Sequence, residues 1–429
     1  MCYTKHRRGG VLMKRAIVLS GGGSKGAYEI GVWKALNKLN IDYDIVTGTS
    51  VGALNGALMV QKDFRYGLKL WKQISFNKIF NDKVKDTSKA TEVISTVSKN
   101  ILQNGGMDVS KLEKLIKDVV NLNIIYSSSI DFGLVTVNLS TKKPVMLQKK
   151  NISRDKFCDY LIASATCFPA FQVKNIDGNS YVDGGYYDNL PINLAIKMGA
   201  EEVIAVDLRA IGIKQKVIDK NIKITYIIPK CNLAPMLVFD EKEINKTINL
   251  GYNDTMKTFN ALDGNYFTFK KNDLLKNYNK YNNQLIINLK NIFNNRNFTD
   301  ELLKIRVFKR IMNKNETISK KEFINIVDNL GRVFKLNEDL IYTYRKYNRL
   351  LYKKLKNTKS ISKKEIEKNI KNKDLKKLMS KDWIIKYIYE VIEDVIHGKE
   401  NKYLVPLAIS LPKEFLCALY VYTTKRTFI

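Results

Sequence analysis

Tyr43-Asp44-Ile45-Val46-Thr47 reads as a strand, and Gly48-Thr49-Ser50-Val51-Gly52 follows it directly. Ala53-Leu54-Asn55-Gly56-Ala57-Leu58-Met59-Val60 comes next, small and apolar, and reads as a buried helix. Ser50 therefore stands in a G-x-S-x-G sequence between a strand and a helix. A serine on such a turn has its oxygen exposed beside a helix N-terminus. The turn is crowded, so a Cβ at either flanking glycine would clash. A pattern of five residues with two free positions also recurs by chance, and a Gly/Ser-rich loop is the competing reading.

A second feature precedes it. Lys14-Arg15-Ala16-Ile17-Val18-Leu19-Ser20 reads as a short buried strand that runs into Gly21-Gly22-Gly23-Ser24-Lys25-Gly26. In the segment after it, Ile30, Trp33, Leu36 and Leu39 follow helical spacing. Backbone N–H groups at such a helix start suit a phosphate or an oxyanion. A Walker A loop needs Lys-Ser/Thr after its last glycine, and Ala27-Tyr28 stand there instead. Gly21, Gly23 and Gly26 satisfy the dinucleotide spacing G-x-G-x-x-G, but Asp42 and Asp44 precede the next strand instead of closing it. An oxyanion hole for Ser50 is the third reading.

The third feature is Tyr181-Val182-Asp183-Gly184-Gly185-Tyr186-Tyr187-Asp188-Asn189-Leu190-Pro191. An aspartate closing a strand before two glycines is an ordinary turn when taken alone. In this order the three features resemble the patatin-like phospholipase family: a glycine loop with Lys25 and Gly26, then Gly48-x-Ser50-x-Gly52, then Asp183-Gly184-Gly185. Ala163-Ser164-Ala165-Thr166-Cys167-Phe168-Pro169 is similar to that family's Ala-Ser-x-x-x-x-Pro segment. The stretch from Leu190 to Asp207 reads like the family's continuation, and the resemblance runs from about Lys14 to Leu262.

That resemblance implies a Ser50 nucleophile partnered by Asp183, with oxyanion N–H groups from Gly21, Gly22 and Gly23. It implies acyl-ester hydrolysis of phospholipids or related lipids through an acyl-enzyme, with no metal or organic cofactor. A carboxylesterase or thioesterase on soluble acyl groups is the alternative within enzymes. A phosphate- or nucleotide-binding module using Gly21–Gly26 is the alternative outside them. The family works without histidine, and this chain has two, His6 and His397, both outside the matching region. The order Ser50, Asp183, His397 nevertheless matches that of an α/β-hydrolase triad, so that arrangement stays open. An aspartate near pKa 3.9 is a weak base for a hydroxyl. Burial beside apolar residues raises that value, and direct contact orients the serine.

The apolar runs Ala16–Ser20, Ile45–Thr47, Phe132–Val137, Val203–Val206 and Ile224–Ile228 alternate with helical stretches. This predicts a mainly parallel sheet covered on both faces, and the resemblance implies that it belongs to a three-layer α/β/α hydrolase domain. Pro144 confines Lys142–Gln148 to an edge strand. The segment from Phe64 to Asn123 is helical and polar, a lid over the site by resemblance or a solvated connection. Capping boxes stand at Asp240-x-x-Glu243, Ser319-x-x-Glu322 and Ser362-x-x-Glu365. The expected division is a basic tail over 1–13, the hydrolase domain over 14–264, and a helical region of illegible role over 265–429.

The formal net charge is +31, from 73 Lys and Arg against 42 Asp and Glu. Nucleic-acid binding would need a recognisable module, and none is legible. A basic surface suits contact with anionic bilayers, while the Lys, Asn and Ile bias also fits a codon-biased genome. Cys2, Cys158, Cys167, Cys231 and Cys417 are odd in number and widely spaced, which argues against a disulfide framework and a zinc site. With no legible secretory signal, the expected location is the cytoplasm, with peripheral membrane contact. Tyr403–Tyr422 is apolar but interrupted by Pro406, Pro412, Lys413 and Glu414, which favours a buried or interfacial helix pair over a membrane span.

Overall fold

The five apolar runs become five neighbouring parallel strands. A computed structural model describes residues 7–8, 11–82, 84, 86–87, 89–293, 318–359 and 380–425. The chain divides into two compact units, Met1–Thr258 and Phe259–Ile429.

In the first unit the strands are β1 (Arg15–Leu19), β2 (Ile45–Thr49), β3 (Asp131–Asn138), β4 (Lys143–Gln148), β5 (Lys174–Ile176), β6 (Asn179–Asp183), β7 (Glu202–Val206) and β8 (Lys223–Ile227). Their order in the sheet is β8-β7-β1-β2-β3-β6-β5, with β4 also paired to β3. From β8 through β3 the pairing is parallel; β4, β5 and β6 join antiparallel. Pro144, which has no N–H to give, lies in β4, which pairs with β3 alone.

β1, β2, β3 and β7 are buried almost throughout because both faces are covered, while β8 at the edge is partly exposed. On one face Ala16, Val18, Ile45, Val203 and Ala205 bury against Leu190, Ile192 and Ala195. On the other side lie α1 (Ala27–Lys38) and α2 (Val51–Val60), with α10 (Glu241–Thr258) packed along α1. The α1–α10 crossing depends on glycine. A Cβ on Gly31 would fall 2.0 Å from the Ile248 carbonyl oxygen, and one on Gly251 would fall 2.0 Å from that of Tyr28. Tyr28 ties the pair further by donating to Asp254 at 2.9 Å.

Between β2 and β3 the chain forms α3 (Phe64–Gln73), α4 (Phe76–Ile79), α5 (Ala90–Asn104), α6 (Ser110–Val119) and α7 (Leu122–Ser127). These are amphipathic, and their buried stripes include Trp71, Phe76, Ile79 and Ile116. The Ala163–Ser164 pair lies in α8 (Phe157–Ser164), and α9 (Ile192–Lys197) follows the turn at Gly184-Gly185.

The second unit is mostly helical: α11 (Asp273–Ile292), α12 (Lys320–Val333), α13 (Tyr344–Asn357), α14 (Lys381–Ile396), α15 (Leu404–Ser410) and α16 (Pro412–Thr424). It also holds a small sheet of Asp263–Gly264, Thr268–Phe269 and Ile341–Tyr342, which the sequence did not suggest. Because Asp263–Gly264 pairs within this unit, the compact boundary falls at 258/259, ahead of the 264/265 read from the sequence. Its core is aromatic: Tyr420 donates to Tyr344 at 2.7 Å, and Tyr347 donates to the Val327 carbonyl at 2.7 Å. Asp240 and Ser319 accept from the Glu243 and Glu322 N–H groups, as capping residues do; Ser362 lies outside the described residues. Among the described residues no single helix is long and apolar enough to cross a membrane; α15 and α16 bend by 119° and bury Leu407, Phe415 and Leu419.

Candidate active site

The turn at Ser50 is as tight as its glycines imply. Ser50 has φ 56° and ψ −129°, between the end of β2 and the start of α2. A Cβ on Gly48 would lie 2.3 Å from the Gly52 carbonyl oxygen, and one on Gly52 would lie 2.5 Å from that of Leu19. A non-glycine residue at positive φ persists only where its surroundings hold it there. Here Ser164 does so: its hydroxyl accepts from the Ser50 N–H at 3.0 Å and donates to the Val135 carbonyl at 2.7 Å. Thr49 adds a bond from its hydroxyl to the Asp188 carbonyl at 2.7 Å.

Asp183 ends β6 and points at that turn. Its carboxylate accepts from the Gly185 N–H at 2.7 Å, and the Ser50 side chain stands close enough to lower its pKa. Both side chains are buried. Burial pushes the Asp183 pKa up to about 6, and the contacts with Ser50 and Gly185 hold it from going higher. The upward shift expected from the sequence is thus present, with desolvation as its main cause. Gly184 and Gly185 open the 3-10 turn that carries the chain away from the site.

The glycine loop sits on the same carboxyl edge of the sheet. Gly21 differs from its expected role. Its N–H already donates to the backbone oxygen and to the Oδ1 of Asn189, both at 3.2 Å. Gly21 therefore anchors the loop. Among the described residues, the Gly22 and Gly23 N–H groups have no protein acceptor. The Ser24 N–H is bound to the Met236 carbonyl at 2.7 Å. Lys25 is partly buried, which lowers its pKa, and Gly26 offers its carbonyl to Asn55 at 3.0 Å.

Ser50 and Gly23 face an apolar cavity of about 110 Å³. Its walls come from α2 (Leu54, Leu58), from the connecting helices (Trp71, Phe80, Ile116) and from Phe171 and Phe239. The segment that reads as polar in sequence thus contributes its apolar stripe to the site. Cys167 also lines the cavity, its thiol pKa raised to about 12 by burial and by Asp183.

Sequence reasoning missed the polar support behind this wall. Asn55 donates to Glu29 Oε2 at 2.8 Å and accepts from the Trp71 indole at 2.8 Å. Glu29 is fully buried, and desolvation raises its pKa well above the ordinary carboxylate value. Its presence among Ala27, Tyr28, Ile30 and Val32 was the available signal: an acid in an apolar helix. His397 lies in the second unit, exposed, with Nδ1 2.6 Å from the Glu393 carbonyl oxygen. His6 lies outside the described residues.

A serine on the wall of an apolar cavity, beside an aspartate and a bare glycine loop, coincides with a family match over residues 17–196 to the model described as patatin-like phospholipase. Residues 17–196 form a patatin-like phospholipase domain. The patatin-like phospholipase domain-containing protein 7 of Rattus norvegicus is 27% identical over 197 residues, covering 45% of this chain and 13% of that protein. The human patatin-like phospholipase domain-containing protein 6 is 28% identical over 197 residues, again 45% of this chain and 13% of that one. Lysophospholipase NTE1 of Mycosarcoma maydis is 28% identical over 214 residues, 46% of this chain and 10% of that protein. Each match is thus a small part of the relative, and residues 17–196 of the family match include Ser50 and Asp183. Among solved structures, VipD from Legionella pneumophila aligns over 95% of this chain and 91% of its own at 14% identity, with a TM-score of 0.37.

Proposed function

We propose that the protein is a serine acyl hydrolase that cleaves fatty-acyl esters of phospholipids or lysophospholipids with a Ser50–Asp183 dyad. The observation that carries this reading is the interaction of Asp183 with Ser50, whose side chain lines the apolar cavity. Asp183 takes the Ser50 proton as the hydroxyl oxygen attacks the ester carbonyl. The oxyanion forms against the Gly22 and Gly23 N–H groups, where each donor lost costs a hundredfold or more by general experience. The proton then passes to the leaving alkoxide. Water, deprotonated by the same carboxylate, releases the fatty acid from Ser50.

The cavity lining favours a long acyl chain over the small groups of a soluble esterase or thioesterase. Phosphate binding by Gly21–Gly26 is less well supported, because the Gly21 and Ser24 N–H groups are already bound within the protein. A lipid substrate and the net charge of +31 support action at an anionic membrane surface inside the cell. The test is hydrolysis of lysophospholipid and of p-nitrophenyl esters of increasing chain length. The proposal expects kcat/KM to rise with chain length; a preference for acetyl or for coenzyme A thioesters would move the reading to the alternative.

A further inference from the structure

The loop after β7 presents an apolar and basic edge beside the site. Ligand-binding crevices of α/β sheets lie outside the carboxyl ends of the strands. β7 is parallel to β1 and β2, so its following loop emerges on the edge that carries Gly21–Gly26 and Ser50. The loop is fastened there. The Ile213 N–H donates to the Gly185 carbonyl at 2.9 Å, and the Ile213 carbonyl accepts from the Asn189 N–H at 2.6 Å. Gln215 donates from its amide side chain to the Tyr187 carbonyl at 2.8 Å. The backbone is therefore held on both sides of Ile213.

What the loop shows to solvent is unusual for a water-facing segment. Ile211 is 96% exposed, Ile218 70% and Ile213 55%. Burial of aliphatic side chains is the main favourable term in folding, so three such exposed side chains in one short loop call for a partner. Nearby on the site's rim, Phe168 and Tyr186 are also exposed, and the Tyr186 hydroxyl donates to the Phe168 carbonyl. Phe168 directly follows Cys167, which lines the cavity. Interleaved with the isoleucines are Arg209, Lys214, Lys216 and Lys220, against one acid, Asp219. Lys214 pairs with Asp207 at 2.6 Å, while Arg209, Lys216 and Lys220 are exposed.

We infer that residues 209–220 form a membrane-docking edge that seats the first unit on an anionic lipid surface. Ile211, Ile213 and Ile218 enter the acyl boundary and Arg209, Lys216 and Lys220 meet the headgroups. This rests on the proposed lipid hydrolysis. Apolar side chains flanked by cations are what such an interface accepts, with binding set by buried apolar area and by attraction to anionic lipid. A protein partner would not need the cations, and its binding would not depend on lipid composition.

The experiment uses the full chain carrying Ile211→Ser with Ile218→Ser, and a second variant with Lys216→Glu and Lys220→Glu. Neither pair belongs to the dyad or its supports. Binding to vesicles of phosphatidylcholine with or without phosphatidylglycerol is measured by co-sedimentation, and hydrolysis of soluble p-nitrophenyl butyrate is measured in parallel. The expected result is a loss of vesicle affinity of about a hundredfold or more for the isoleucine variant, a size consistent with removing two buried aliphatic side chains. The lysine variant loses affinity only where phosphatidylglycerol is present, and soluble-ester turnover is unchanged in both. Vesicle binding equal to wild type in the isoleucine variant overturns the inference, and so does a loss of soluble-ester turnover equal to the loss of vesicle binding. If the wild type hydrolyses no ester yet binds vesicles in the predicted manner, the docking edge stands and the hydrolase reading fails.

Discussion

The Ser50 hydroxyl and the Gly185 N–H are the two donors that restrain the Asp183 pKa against its burial, the latter at 2.7 Å. Removing the serine oxygen therefore changes the aspartate. In Ser50→Ala, the carboxylate loses a partner that favours its charged form, and its pKa rises above the wild-type value of about 6. Carboxyl infrared difference spectra of the two proteins over pH 4–9 check this. An unchanged titration would mean that the two side chains do not interact.

Asp183 must be ionised to accept the serine proton. Activity is accordingly expected to rise with pH through about 6 and to level off above it. Asp188 is also pushed up to about 6 by burial, with the Gln215 and Leu190 N–H groups opposing the shift. The profile of kcat/KM in an Asp188→Asn variant separates the two, since the rise persists there if Asp183 is the base.

The raised pKa also affects stability. A carboxyl with a folded pKa near 6 and an unfolded pKa near 3.9 binds more protons when folded between those values. Stability from this group is thus greatest below about pH 4 and falls as pH rises through about 6. At pH 7 the ionised aspartate costs up to about 3 kcal/mol, an order-of-magnitude figure. Asp183→Asn is expected to abolish turnover while holding or raising the urea midpoint at pH 7, with a smaller difference at pH 5. A large fall in the midpoint would show that the carboxylate is mainly structural.

Ser164 is the support that the turn relies on. Ser164→Ala leaves the Ser50 N–H and the Val135 carbonyl without that partner, at a cost of about 1–3 kcal/mol. It is expected to lower kcat more than it raises KM, because the substituted group holds the nucleophile and not the substrate. Ser164→Thr keeps the hydroxyl and is expected to restore part of kcat.

His397 bonds its own helix in the second unit and is exposed. His397→Ala is expected to retain nearly full activity. A loss comparable to that of Asp183→Asn, in a protein that remains folded, would replace the dyad with a triad.

Much of the first unit was legible because its signals are local. Buried parallel strands are continuous apolar runs, and the turn glycines at 48 and 52 have no alternative where backbone oxygens come within 2.5 Å of their Cβ positions. The contact between Ser50 and Asp183 was reachable only through the resemblance, since no local rule joins residues so far apart in the chain. The engagement of the Gly21 N–H was hidden for the same reason, because Asn189 approaches from a distant segment. The connecting helices read as polar because their many lysines face solvent, while Trp71, Ile79 and Ile116 form a narrow stripe that lines the cavity. The two-residue strands of the second unit carry too few side chains to show a period.

The central claim is that Ser50 forms an acyl-enzyme. Its most direct test is intact-protein mass spectrometry after treatment with a fluorophosphonate ester, followed by peptide mapping, on wild type and Ser50→Ala. The account predicts a single stoichiometric adduct on Ser50 in the wild type and none in the variant, with loss of ester turnover in step with labelling. Labelling of another residue, or full ester turnover by Ser50→Ala, would contradict it.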